Sequence, residues 1–136
     1  MRLKKRNQFM VKTDAEWLEK LGKEGFDIMR RQGTERPFSG AFWDCFEKGK
    51  YKCLGCGKLL FASDDKFNSK CGWPSFSDFA ELGAITEHVD ESHGMRRIEV
   101  RCSGCDSHLG HLFSDGPTNT GARYCINSVC LDFDKE

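Results

Sequence analysis

The chain has 136 residues and a mass of 15.5 kDa, the size of one ordinary domain with a single hydrophobic core. Hydrophobic residues make up 38% and charged residues 31%, which excludes a disordered chain, and no apolar run approaches the roughly 20 residues of a transmembrane helix. Twenty-one basic residues balance twenty-one acidic ones, so no global field draws the chain to nucleic acid or to an anionic membrane.

The start, Met1-Arg2-Leu3-Lys4-Lys5-Arg6-Asn7, is charged and no apolar stretch follows it. A secretory signal is therefore not expected, and the eight cysteines are read for a cytoplasmic setting in which metal ligation or redox chemistry outweighs structural disulfides. Residues 1–36 contain no cysteine and carry the helix signals. Thr13-Asp14-Ala15-Glu16 matches a capping box, so a short helix is expected from there to about Leu21. Phe26, Ile28 and Met29 suggest a second, ending at Arg30 and Arg31 with Gly33 as its left-handed terminal residue. This segment, with ten basic and six acidic residues, reads as a helical cap on a body spanning residues 37–136, the two forming one domain over 1–136.

From Pro37 onward, short β-branched and aromatic runs alternate with Gly, Asn, Asp and Ser. Strands are expected around Tyr51-Lys52-Cys53, Ala84 to Val89, Leu109 to Phe113 and Arg123 to Asn127. Two further strands show period-two patterning: Ile98, Val100 and Cys102 alternate with Arg97, Glu99 and Arg101, and Val129, Leu131 and Phe133 alternate with Cys130, Asp132 and Asp134. The fold class is mainly β, with antiparallel sheets joined by tight turns and short N-terminal helices.

Cys53-Leu54-Gly55-Cys56 and Cys102-Ser103-Gly104-Cys105 are matched Cys-x-x-Cys pairs, each leaving a candidate strand. A two-residue spacer aims both sulfurs of a pair at one ion, and the glycine is expected to supply a left-handed turn. Two such knuckles predict a closed four-cysteine zinc site that joins two hairpins and is structural, because no position is left for substrate. A thioredoxin-type redox pair would need a βαβ pattern, which the chain lacks.

Cys45, Cys71, Cys125 and Cys130 remain. Cys45 and Cys130 read as small buried hydrophobes. Cys71 lies in Cys71-Gly72-Trp73-Pro74-Ser75-Phe76 and Cys125 in Arg123-Tyr124-Cys125-Ile126-Asn127-Ser128, with Ser92-His93-Gly94-Met95 and His108-Leu109-Gly110-His111-Leu112-Phe113 between them. Together with Gly33-Thr34-Glu35-Arg36-Pro37-Phe38-Ser39-Gly40 and both knuckles, these stretches resemble the B-type methionine sulfoxide reductases, which reduce the R epimer of methionine sulfoxide. The resemblance extends to Phe133.

That resemblance implies Cys125 as the nucleophile, Cys71 as the resolving cysteine, and Cys53, Cys56, Cys102 and Cys105 as zinc ligands. It also implies active-site roles for His108, His111, Asn127 and Arg123, and substrate contacts from Trp73, Phe113 and His93. Cys130 stands where that family usually has Ala or Ser. Attack by Cys125 on the sulfoxide sulfur would give methionine and a sulfenic acid, which Cys71 converts to a disulfide for thioredoxin to reduce. Arg123, two residues before Cys125 on one strand face, is expected to lower its thiol pKa. His111 or His108 is the general acid, and the residues leave open which. Asn127 is expected to fix a histidine or a water, and Trp73 to wall in the substrate methyl group. Oxidised proteins and thioredoxin are thus the expected partners of a monomer that engages neither nucleic acid nor membrane. A zinc-ribbon adaptor would explain the four ligands but not the set Cys71, Trp73, His111 and Cys125. A zinc hydrolase or nucleic-acid finger would need an open ligand position or a basic, aromatic patch.

Overall fold

A computed structural model describes residues 12–136. The segment Met1 to Asn7, read above as lacking a secretory signal, lies outside the described residues. The helix α1 spans Asp14–Met29 and opens with the expected capping box: the Thr13 hydroxyl accepts from Glu16 N–H at 3.2 Å, and the Glu16 carboxylate accepts from Thr13 N–H at 2.8 Å. Gly22 interrupts it with a non-helical backbone (φ 79°, ψ 172°), so the two expected short helices form one broken element. Its end differs from expectation: Arg30 is the cap, and the left-handed residue is Gln32 (φ 58°) instead of Gly33. Gln32 is held there by its own side chain, whose amide donates to both oxygens of Glu99 at 3.1 and 3.0 Å.

Nine strands follow: β1 (Gly49–Cys53), β2 (Leu59–Ala62), β3 (Lys66–Phe67), β4 (Ser75–Phe76), β5 (Ile85–Asp90), β6 (Arg97–Cys102), β7 (His108–Phe113), β8 (Arg123–Ile126) and β9 (Leu131–Lys135). They form two antiparallel sheets, one ordered β2-β1-β9 and the other β3-β4-β8-β7-β6-β5. Aromatic side chains join the sheets: Phe61 from the first stacks on Phe76 from the second with centroids 4.4 Å apart, and Tyr51 meets Phe76 at 5.1 Å. Trp17, Leu21, Phe26 and Met29 close the core from the helix.

Two period-two readings need correction. In β6, Glu99 was expected on the polar face but is buried, 1% exposed, because Gln32, Arg101 and His108 all bind its carboxylate. At the last strand, Ser128–Cys130 is a 3₁₀ turn and β9 starts only at Leu131. The Glu35 carboxylate caps that turn, accepting from Ser128 N–H at 2.9 Å and Val129 N–H at 3.0 Å. Among the described residues no helix is long and apolar enough to cross a membrane.

Candidate functional site

Cys53 ends β1 and Cys102 ends β6, each followed by a tight turn that carries the second cysteine of its pair. The hairpins β1-β2 and β6-β7 belong to different sheets, so the cluster joins the two sheets. The four sulfur atoms lie within 4.8 Å of one another, with Cys53 to Cys105 at 3.7 Å and Cys56 to Cys102 at 3.5 Å. Zinc–sulfur bonds of about 2.3 Å define a tetrahedron with an edge of about 3.8 Å, so the donor set fits a zinc ion. The hydrogen bond to Cys105 pushes the Cys102 thiol up.

The turn glycines act differently from expectation. The left-handed residues are Gly57 and Asp106, each just after the second cysteine. Gly55 and Gly104 are small for another reason: a methyl group on Gly55 would sit 3.2 Å from the Cys105 sulfur, and one on Gly104 would sit 3.0 Å from that of Cys56. Each knuckle therefore makes room for a sulfur of the other. Both glycine amides also donate to the first sulfur of their own pair at 3.3 Å. The helix seals this assembly, since Arg30 donates to the Cys105 carbonyl and the Ser107 hydroxyl, both at 2.9 Å, and covers the Trp17 ring at 4.5 Å.

The other cysteines meet elsewhere. Strand β8 lies between β4 and β7, and Cys125 is the register partner of both Ser75 and His111. Cys71 lies in the loop before β4, between left-handed Lys70 (φ 63°) and Gly72 (φ 98°). The Gly72 carbonyl accepts from Phe38 N–H at 2.8 Å, and a side chain on Gly72 would collide with Pro37, so the segment before β1 fixes the loop. This places the Cys71 sulfur 3.9 Å from that of Cys125. The two thiols share one charge. Hydrogen bonds from Cys125, Ser69 and Ser75 hold Cys71 down at about 4, against burial. The bond to Cys71, together with burial, drives Cys125 above the usual thiol range, while Arg123 pulls it the other way.

Both cysteines line a cavity of about 240 Å³ with Trp73, His111, Phe113, Arg123 and Asn127. Trp73 is locked by an indole N–H bond to the Glu35 carbonyl at 3.0 Å. Arg123 is held by two bonds to Asp115, at 2.8 and 3.2 Å, and lies over the Phe113 ring at 4.4 Å. His111 pairs with Asp90 through Nε2 at 2.8 Å; burial lowers its pKa and Asp90 opposes that shift.

Two residues stand away from their expected places, and a third, Asn127, lines the cavity with partners other than those expected. His108 does not line this cavity: it is 3% exposed, its Nδ1 pairs with Glu99 at 2.7 Å, and its ring meets that of His111 edge-on at 5.4 Å. His93 sits on the exposed turn Ser92–Gly94. Asn127 fixes backbone instead of a histidine, accepting from Glu35 N–H at 3.0 Å and donating to the Leu109 carbonyl at 2.9 Å. Cys130 is fully buried, as expected, whereas Cys45 is only half-buried. Asp90, Glu99, Asp115, Ser69 and Glu35 were not anticipated: Ser69 acts on Cys71 two residues along its own loop, and the others act on partners brought near by the fold. For Glu35 a signal existed, since it lies inside the Gly33 to Gly40 stretch.

The description of the SelR domain matches residues 21–135. Proteins named peptide methionine sulfoxide reductase MsrB are similar to the chain: that of Agrobacterium fabrum is 52% identical, covering 90% of this chain and 91% of its own length. The Cellvibrio japonicus protein of that name is 54% identical (91% and 89% covered), and that of Methanosarcina mazei 53% (92% and 89%). A four-sulfur cluster tying two sheets and a cysteine pair in a tryptophan-walled cavity thus stand in a chain that belongs to the SelR domain family.

Proposed function

We propose that this single-domain chain, 1–136, reduces methionine sulfoxide in oxidised proteins, accepting the R epimer, as a cytoplasmic monomer recycled by a thioredoxin-like dithiol. The observation that carries the reading is the pair of sulfurs 3.9 Å apart in a cavity large enough for a thioether side chain and walled by Trp73. Transfer of the shared proton to Cys71 leaves Cys125 as the thiolate. It attacks the sulfoxide sulfur, one proton is taken up in the course of the step, methionine departs, and the oxygen remains on Cys125 as a sulfenic acid. The Cys71 thiol then displaces that oxygen as water and forms the Cys71–Cys125 disulfide. Two electrons and two protons from the external dithiol restore both thiols.

His111 is the proton donor in this reading, since it faces the cavity and Asp90 supports its protonated form. His108, bound to Glu99 and touching the His111 ring, serves as a positioning residue. Cys53, Cys56, Cys102 and Cys105 would hold a zinc ion, which would supply fold stability and no chemistry to the reaction. Arg123 and Phe113 shape the cavity, with Trp73 against the substrate methyl group. His93, on its exposed turn, is not assigned a contact.

The test is single turnover with separated epimers of a peptide sulfoxide. Wild type should yield one methionine per chain from the R epimer alone, and Cys125→Ser none, because a serine hydroxyl is a far weaker nucleophile toward sulfur. Equal consumption of both epimers, or full turnover by Cys125→Ser, overturns the reading.

A further inference from the structure

A second groove, of about 540 Å³, lies where β6 begins and β7 ends, beside the loop that leads to β8. It shares Arg97 and Phe113 with the sulfur-bearing cavity, so the two are contiguous through those side chains. Its apolar surface comes from Ile98, Leu112 and Ala122. Ile98 is the cross-strand partner of both Leu112 and Val89, and Val89 is 54% exposed, so an apolar row runs from the groove across the sheet into solvent. The same groove carries two cations, Arg96 and Arg97. Arg97 pairs with Asp90 at 3.4 Å, and its Nε is buried without a hydrogen-bond partner among the described residues. Among the described residues Arg96 is paired only with Glu91, at 2.7 Å, and both side chains are about two-thirds exposed, so water screens that pair and an incoming carboxylate can replace it at little cost.

We propose that this groove seats the polypeptide on either side of the oxidised methionine, with apolar side chains on Ile98 and Leu112 and an acidic side chain at Arg96. The proposal rests on the reading of the neighbouring cavity as the sulfoxide site. Volume supports it: a thioether side chain occupies the smaller cavity, and the groove beside it has more than twice that space for the residues next in line. Position separates this occupant from the reductant. The groove touches the first cavity at Phe113 and Arg97, whereas Cys71 does not line it, so a dithiol protein reaching for the disulfide would approach from elsewhere. A backbone carbonyl of the bound segment would satisfy the orphaned Arg97 Nε–H. The substrate preference built in here is for acidic and apolar flanks, in a protein whose net charge is zero.

The experiment compares three substrates under dithiothreitol: N-acetyl-methionine sulfoxide amide, and heptapeptides with the sulfoxide flanked by Leu and Glu or by Leu and Lys. For wild type, kcat/KM should rise at least tenfold from the single residue to the Glu peptide, with the Lys peptide about threefold below the latter. Arg96→Glu should reverse the order of the two peptides and leave the single residue unchanged. Ala122→Trp, which fills the groove, should bring both peptides down to the single-residue value, with its melting temperature recorded as the check on folding. Peptides no better than the single residue, or an Arg96→Glu protein with the wild-type order, overturns the proposal. So does an Ala122→Trp protein slowed only when thioredoxin replaces dithiothreitol, which would make the groove the reductant's seat. If wild type reduces none of the three, the sulfoxide reading itself has failed, and the groove assignment falls with it.

Discussion

Four sulfurs at one place in this molecule, all within 4.8 Å of one another, and two at another, 3.9 Å apart, stand at comparable spacing. The chemistry differs because the surroundings do. Around Cys53, Cys56, Cys102 and Cys105, tight turns, paired glycines and the stacked Arg30 and Trp17 close off the approach, and amides point at the sulfurs. Around Cys71 and Cys125 there is a cavity, a loop held at two left-handed residues, and hydroxyls that favour one charge on the pair. Sulfur proximity alone thus identifies no function; the number of donors and the access to them decide between a metal anchor and a redox couple.

Disturbing each region in turn sharpens that contrast, with the effect on stability falling at each step. Cys53→Ser should cost the most, since zinc binding in small domains contributes on the order of 10 kcal/mol of folding free energy. Metal analysis and thermal unfolding should show loss of zinc together with loss of the cooperative transition, and a folded, zinc-free variant would contradict the structural role. Glu99→Gln comes next. Burial raises this carboxyl, but hydrogen bonds from His108, Arg101 and Gln32 outweigh it and bring its pKa from 4.5 to about 2. The depressed value means that the stabilisation is complete above pH 4.5 and is lost as the pH falls toward 2, amounting to about 3 kcal/mol. Denaturant titrations of wild type and variant should differ by that amount at pH 7, and the difference should shrink as the pH falls below 4.5 within the range in which both proteins keep their metal.

At the redox pair, Cys71→Ser should change stability by only about 1 kcal/mol. It should still release one methionine per chain but stall in recycling by thioredoxin, and wild-type cycling would assign the resolving role to Cys45 or Cys130. Lys23→Ala is expected to do least. It breaks an exposed pair with Asp27 at 2.9 Å, which should move stability by roughly 0.3 kcal/mol and activity not at all.

The four-cysteine cluster was legible in the sequence because both halves of it are local: a two-residue spacer fixes each pair, and only the meeting of the halves needs the fold. The capping box and the strands at Tyr51, Ile98 and Arg123 were legible for the same reason, since each is a pattern within a few residues. The pairing of Cys71 with Cys125 was not. No spacing rule connects positions in different strands and loops, and only the family resemblance suggested it. The partners of the histidines were hidden for a related reason. Asp90 reaches His111 by lying one strand beyond β6, and Glu99 reaches His108 past an irregularity in the β6-β7 register. The short strands β2, β3 and β4 escaped because two to four residues carry no periodicity to read.

The first sheet has a consequence for the order in which the chain can mature. Its centre is β1, whose neighbours are β2, made almost at once, and β9, made far later. On the ribosome, therefore, Cys53 and Cys56 wait for β6 and β7 before a metal ion finds its full set of donors, and one edge of β1 stays open even after that. Until Leu131–Lys135 emerges to pair with Gly49–Cys53, that edge can recruit a strand from another chain. A ribosomal pause or a nonsense codon in the stretch between β8 and β9 would thus yield a chain with the thiols of both sulfur sites in place and an unguarded edge, which marks it for chaperones or aggregation during synthesis.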